Sequence, residues 1–169
     1  EQVTDITAIP FISGIKNYFY SEPVYISDDL ADTDAIEVTL NYKPIMTCIE
    51  VAIKANKENA IALDEIILTD TQGDNIATKG TYNAVTGELT TGNDGKVGSV
   101  KMEYEGGLLL TPDDNTPKAS FIIPKYENYG GNFKLAFKFN SIEGLAEYTI
   151  PAEIAAGTDG DFKEGKKYI

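Results

Sequence analysis

Along residues 132–140, NFKLAFKFN, the side chains of Phe133, Leu135, Phe137 and Phe139 fall on one side of an extended chain, and those of Lys134, Ala136 and Lys138 on the other. A period of two is what a strand with one buried and one solvated face requires. The same alternation runs through AIEVTLNY (Ile36, Val38, Leu40, Tyr42) and CIEVAIK (Ile49, Val51, Ile53). In AIALDEIILTD, residues 60–70, it changes face part-way, which predicts a β-bulge. Further alternations at TKGTYN, GSVKMEY, ASFII and AEYTI bring the expected strands to about seven or eight.

Turn-forming clusters separate these stretches: DTQGDN, NAVTGE, TTGNDGK, TPDDNTP, NYGGN and GTDGD. Their close spacing predicts strands paired as hairpins or Greek-key neighbours. No strand–helix–strand rhythm is visible, and AEIAAG, bounded by Pro151 and Gly157, has room for a single helical turn. The pattern predicts an all-β, Greek-key β-sandwich. Residues 1–35 read differently, as one or two edge strands, the first VTDITAIPFI, followed by a loop, all in the same domain as the sandwich of 36–169, with DDLADTD a solvated connection.

The chain has 169 residues, 42% of them hydrophobic, enough for one domain with its own core. It carries 27 acidic residues against 14 basic ones, a formal charge of −13, and every basic residue is lysine. Without histidine it lacks the side chain best suited to proton transfer near neutral pH and the commonest metal ligand. Without arginine it lacks the bidentate clamp for phosphate. So acidic a surface repels nucleic acid and anionic lipid. The one cysteine, Cys48, has no internal disulfide partner. No stretch reaches the ~18–20 apolar residues of a membrane helix.

Local motifs for chemistry are incomplete. TDGDFKEG brings Asp159, Asp161 and Glu164 close together but does not complete a calcium loop, and it reads as a polar turn, as does TPDDNTP. SGIK (Ser13 to Lys16) has the spacing of a serine–lysine hydrolase without its companion motifs. TGNDGKVG lacks the phosphate-loop spacing and a following helix, and reads as a hairpin turn. Ten tyrosines and seven phenylalanines, with no tryptophan, read first as core and sheet-face residues. Nothing here supports an enzyme, a cofactor or a metal.

Three stretches resemble the fimbrillin-type pilins, the lipoprotein-derived (type V) fimbrial subunits of anaerobic Gram-negative bacteria. IMTCIEVAIKANKENAIALDEIILTD (45–70) is similar to the family's first core hairpin, and GTYNAVTGEL to the segment that follows it. In SFIIPKY (120–126) Pro124 closes a strand. DFKEGKKYI is similar to the family's closing motif, carried by Phe162, Gly165, Lys166 and Tyr168, with phenylalanine where tryptophan is more usual. The resemblance implies a transthyretin-like sandwich, export as a lipoprotein with a lipid anchor on the precursor, and removal of an N-terminal segment by proteolysis. Lys16, in SGIKN after the first expected strand, is the candidate processing point.

The expected role is a non-enzymatic structural or adhesive subunit of a surface fimbria or outer membrane. Its partners are other fimbrial subunits joined by strand complementation, and a host surface protein or glycan. The physical requirement is a sheet edge left unpaired above an apolar groove. DFKEGKKYI, read as a short last strand, predicts such an edge. The rival expectation is a surface lipoprotein domain that binds glycan or host protein through tyrosine-bearing loops and does not polymerise.

Overall fold

The computed structural model describes residues 8–12, 19–21, 37, 39–56, 60–126, 132–155, 162 and 167–169. Along these the strands are β1 (Ile9–Ile12), β2 (Phe19–Ser21), β3 (Tyr42–Pro44), β4 (Met46–Ala52), β5 (Ile61–Asp70), β6 (Ile76–Ala77) and β7 (Lys79–Tyr82). They continue as β8 (Leu89–Thr90), β9 (Lys96–Val97), β10 (Ser99–Leu110), β11 (Pro117–Pro124), β12 (Phe133–Phe139), β13 (Leu145–Thr149) and β14 (Lys167–Tyr168). The one α-helical turn, α1 (Ala152–Ala155), follows Pro151 and falls in AEIAAG. Among the described residues no helix is long and apolar enough to cross a membrane. The chain is an all-β sandwich.

Two sheets enclose the main core. One has the order β10-β5-β12-β13, the other β11-β4-β14. From the first, Leu63, Ile66, Leu68, Phe133 and Leu135 point inward; from the second, Ile49, Val51, Phe121 and Ile123 meet them. Each such aliphatic or aromatic side chain contributes ~1.5–3 kcal/mol on burial, so this interface dominates the stability. A smaller layer, β1-β7-β8, covers the outer face of β4 and β11 near Met46 and Ile122, with Phe11, Ile45 and Tyr82 buried between them.

The alternation in AIALDEIILTD changes face where expected. Leu63 points inward at an odd position, whereas Ile66, Leu68 and Asp70 do so at even ones. Both neighbours skip the same residue: Glu103 and Lys138 lie opposite Glu65, while Leu108 and Phe139 lie opposite Leu63. Asp64 is therefore the bulged residue of the central strand.

Three expectations change. First, β4 and β5 are not a hairpin but lie in opposite sheets, because both carry core residues that must face each other across the interior. Second, over its described residues AIEVTLNY is not a strand until Tyr42, where β3 begins: residues 37 and 39–41 are irregular and Leu40 is 47% exposed, while Ile36 and Val38 lie outside the described residues. Third, TTGNDGK is not a hairpin turn. It links β8, paired with β7, to β9, paired with β6, through a 3-10 turn at Asn93–Gly95. NAVTGE is a hairpin loop, closed by Asn83 N–H donating to Glu88 O at 2.9 Å.

Gly80 lies where β1, β7 and β8 come together. A Cβ there would sit 2.2 Å from the Thr90 carbonyl oxygen and 2.8 Å from the Phe11 ring, so the sheet has no room for one. Gly80→Ala is expected to cost ~1–3 kcal/mol, read from the urea midpoint; an unchanged midpoint would mean that β1 does not pack as described.

Candidate functional site

The closing motif enters the core through Phe162. Tyr126, two residues beyond Pro124 at the end of β11, exchanges two backbone hydrogen bonds with it: each N–H donates to the other's carbonyl at 3.0 Å. The buried Thr47 hydroxyl donates to the same Phe162 carbonyl at 3.3 Å. The Phe162 ring, fully buried, stacks on Phe133 with centroids 5.4 Å apart and meets Tyr168 edge-on at 4.8 Å. Tyr126 closes the column with an edge contact to Phe133 at 4.7 Å. Offset and edge contacts of this kind add ~0.5–1.5 kcal/mol each beyond area burial.

At the Tyr126 end the column meets a buried carboxylate. Asp70, 4% exposed, accepts at Oδ2 from the Tyr126 hydroxyl (2.9 Å) and Asn75 Nδ2 (2.8 Å), and at Oδ1 from the Gln72 N–H (2.8 Å). A carboxyl group so far from water needs partners of this kind to satisfy its oxygens. At the other end Tyr168 holds β14 against β4. The pairing is parallel, with Lys167 opposite Cys48 and Tyr168 opposite Ile49. Lys167 Nζ lies 2.9 Å from Glu50 Oε2 and is held in its charged form, its pKa raised by the Glu50 hydrogen bond and charge. Burial, and then the Glu50 charge, raise the pKa of the Cys48 thiol, with Lys167 acting the other way.

On this side of β4 the described pairing ends at Ile49, although β4 continues to Ala52. Beside that stretch opens a groove of about 400 Å³. Val51 and Ile53 line it from one sheet, Leu135 and Phe137 from the other, and Ile154 of α1 and Tyr148 of β13 form its rim. β13 is the outermost strand of its sheet in the described topology, and its residues are exposed throughout. Among the described residues the groove is thus a gap between two sheets, apolar within, with Glu50 and Ile169 also on its lining.

Of the residues singled out from the sequence, Phe162 and Tyr168 converge on the aromatic column and the groove, and Pro124 ends β11 opposite Met46. Lys16, Gly165 and Lys166 lie outside the described residues, as does TDGDFKEG apart from Phe162. In TPDDNTP, Asp114 accepts from the Thr116 N–H and hydroxyl and from Lys118, which holds its carboxyl well below the usual range and makes an ordinary closed turn. Among the described residues no group of three or more acidic or cysteine side chains could hold a metal ion. The sequence reading missed Asp70, Tyr126 and the rim residues Tyr148 and Ile154. Tyr126 stood inside SFIIPKY, but nothing in its neighbours pointed to an aspartate 56 positions away.

Tyr126→Phe keeps the ring contacts and leaves Asp70 Oδ2 with Asn75 alone. A loss of ~1–3 kcal/mol in chemical denaturation is expected, and a loss near zero would show that the hydroxyl does not satisfy the carboxylate. At pH 8 the raised pKa leaves Cys48 less ionised than an ordinary thiol, and only the thiolate is alkylated. Iodoacetamide should therefore modify the folded protein more slowly than the unfolded chain; equal rates would contradict the burial.

Neither any protein-family model nor any curated protein matches the chain.

Proposed function

We propose that this protein is a non-enzymatic structural or adhesive subunit of a fimbria on the surface of a Gram-negative bacterium, and that it assembles by β-strand exchange after export and proteolytic processing. The observation that carries the reading is the apolar groove beside the β4 edge. A strand laid there would pair with backbone groups of β4 beyond Ile49 and place alternate side chains between Val51, Phe137 and Leu135. The resemblance of SFIIPKY and DFKEGKKYI to fimbrillin-type sequences supports the same role.

Magnitudes constrain the incoming strand. Two apolar plugs in the open stretch would contribute ~3–6 kcal/mol, against ~4–15 kcal/mol lost on association. Stable assembly therefore needs a strand longer than this stretch, one that also takes the place of Tyr168 or finds a second seat. Processing at Lys16 would provide such a seat. Residues 9–12 precede it, and β1 is the edge strand on β7, pairing from Ile9–Tyr82 to Ile12–Lys79 with Phe11 buried. Its release would open β7 and expose Ile45, Met46 and Tyr82.

Limited digestion with a lysine-specific protease, followed by light scattering and electrophoresis without boiling, tests the reading. Wild type should give a ladder of SDS-resistant species. Lys16→Gln should give none, and Ile53→Glu, which puts a charge at the groove, should stay monomeric after the same cut. Monomers throughout would sink strand exchange and favour a non-polymerising binding domain. A ladder from Ile53→Glu equal to wild type would exclude the groove as the seat.

A further inference from the structure

The edge of β7 carries a strand seat whose shape is set by one residue. β1 lies on it antiparallel, with Ile9 opposite Tyr82, Pro10 opposite Thr81, Phe11 opposite Gly80 and Ile12 opposite Lys79. Ile9 and Phe11 pack inward and Pro10 is exposed, so alternate side chains of the strand enter the seat. The Phe11 ring lies over Gly80: a Cβ on that glycine would come within 2.8 Å of Cε1 and 3.0 Å of Cζ of the ring. An aromatic side chain thus fills the space that the missing Cβ leaves, a pairing by which a strand glycine accepts a close neighbour. A smaller residue in place of Phe11 would leave a cavity beside Ile45, Met46 and Tyr82.

β1 is also separable from the rest of the molecule. Phe11 and Ile9 pack in the smaller cluster, whereas the main core between the two large sheets contains no described residue of β1. Withdrawal of β1 therefore leaves that core in place and costs less than unfolding the domain. The emptied seat would expose apolar side chains together with the β7 backbone, and refilling it recovers both terms. The strand that restores every contact has the same residues in the same order, and a second copy of this chain carries it. Exchange of an identical element between copies needs no new interface. The chain's own β1 acts at an effective concentration of ~1 mM, so a neighbour's strand competes near that concentration and not at ~10 µM.

We propose that the β7 edge is a selective strand-binding surface, that Phe11 over Gly80 is its recognition contact, and that its partner in trans is residues 9–12 of a second, uncut copy. The inference rests neither on cleavage at Lys16 nor on the groove beside β4.

Cysteine trapping tests it, in full-length chains that all carry Cys48→Ser. A chain with both Pro10→Cys and Thr81→Cys should cross-link within itself through a short bis-maleimide, which checks the register. Pro10→Cys and Thr81→Cys chains mixed at ~1 mM should give a covalent heterodimer, in higher yield than when Leu109→Cys, at a position 60% exposed on β10, replaces Thr81→Cys to measure random collision. A peptide of residues 3–13 with Pro10→Cys should label the Thr81→Cys chain ~10-fold or more faster than the same peptide with Phe11→Ala. Equal labelling by the two peptides would overturn Phe11 as the recognition contact. A heterodimer yield no higher than that of the collision control, or failure of the doubly substituted chain to cross-link, would overturn the proposal. The digestion ladder and its absence both leave these outcomes unchanged.

Discussion

The ring of Phe162 is the contact on which the candidate site depends. It is fully buried between Phe133 of one sheet and Tyr168 at the edge of the other, and its backbone is tied on both sides to Tyr126. Among the described residues β14 pairs through Lys167 and Tyr168, a ladder too short to hold a strand on a sheet in water by itself. The packing of Tyr168 on Phe162 holds β14 in place, and Lys167 adds a 2.9 Å ion pair to the largely buried Glu50 carboxylate. Tyr126 and its bond to Asp70 carry the same restraint to the far side of the core. The column thereby reaches the groove, which Phe162 and Tyr168 line.

The layout follows from β5. It lies between β10 and β12, and its inward residues Leu63, Ile66 and Leu68 are all fully buried. Against β12 the extra residue is Asp64, whereas against β10 the larger excess lies on β10, with residues 104–107 outside the ladder between Glu103 and Leu108, including two glycines at positive φ. On the opposite sheet β4 is the centre, but its two sides are unequal: β11 pairs along the whole strand, from Met46 to Ala52, and β14 over Cys48 and Ile49. Among the described residues, the groove lies beside the part of β4 that β14 does not pair.

The sequence was informative where one side of a strand faces the core. NFKLAFKFN, ASFII and the face change in AIALDEIILTD each carry their period in the residues themselves, and the structure has them as read. It was uninformative where the outcome depends on partners far along the chain. IMTCIEVAIK and AIALDEIILTD are adjacent in sequence and look like a hairpin, but the choice between pairing and facing is made by Phe121, Ile123 and Phe133, many residues later. At Leu40 of AIEVTLNY the alternation is not matched by burial, because period two states only that a face could be buried, not that a surface exists to bury it. The groove is harder still to read, because the apolar residues of β4 look the same in sequence whether a strand lies beside them or not.

The charge of −13 bears on how such a surface could assemble selectively. Like-charged chains repel at long range, but that repulsion fades over ~8 Å in physiological salt, whereas backbone pairing and apolar plugging act at contact. A strand that fits the β4 edge gains both terms once it is within reach. A surface meeting another in any other orientation gains neither and still meets the repulsion. On the assembly proposed above, the net charge of −13 would therefore disfavour indiscriminate association, while the apolar groove would reward a strand that fits it.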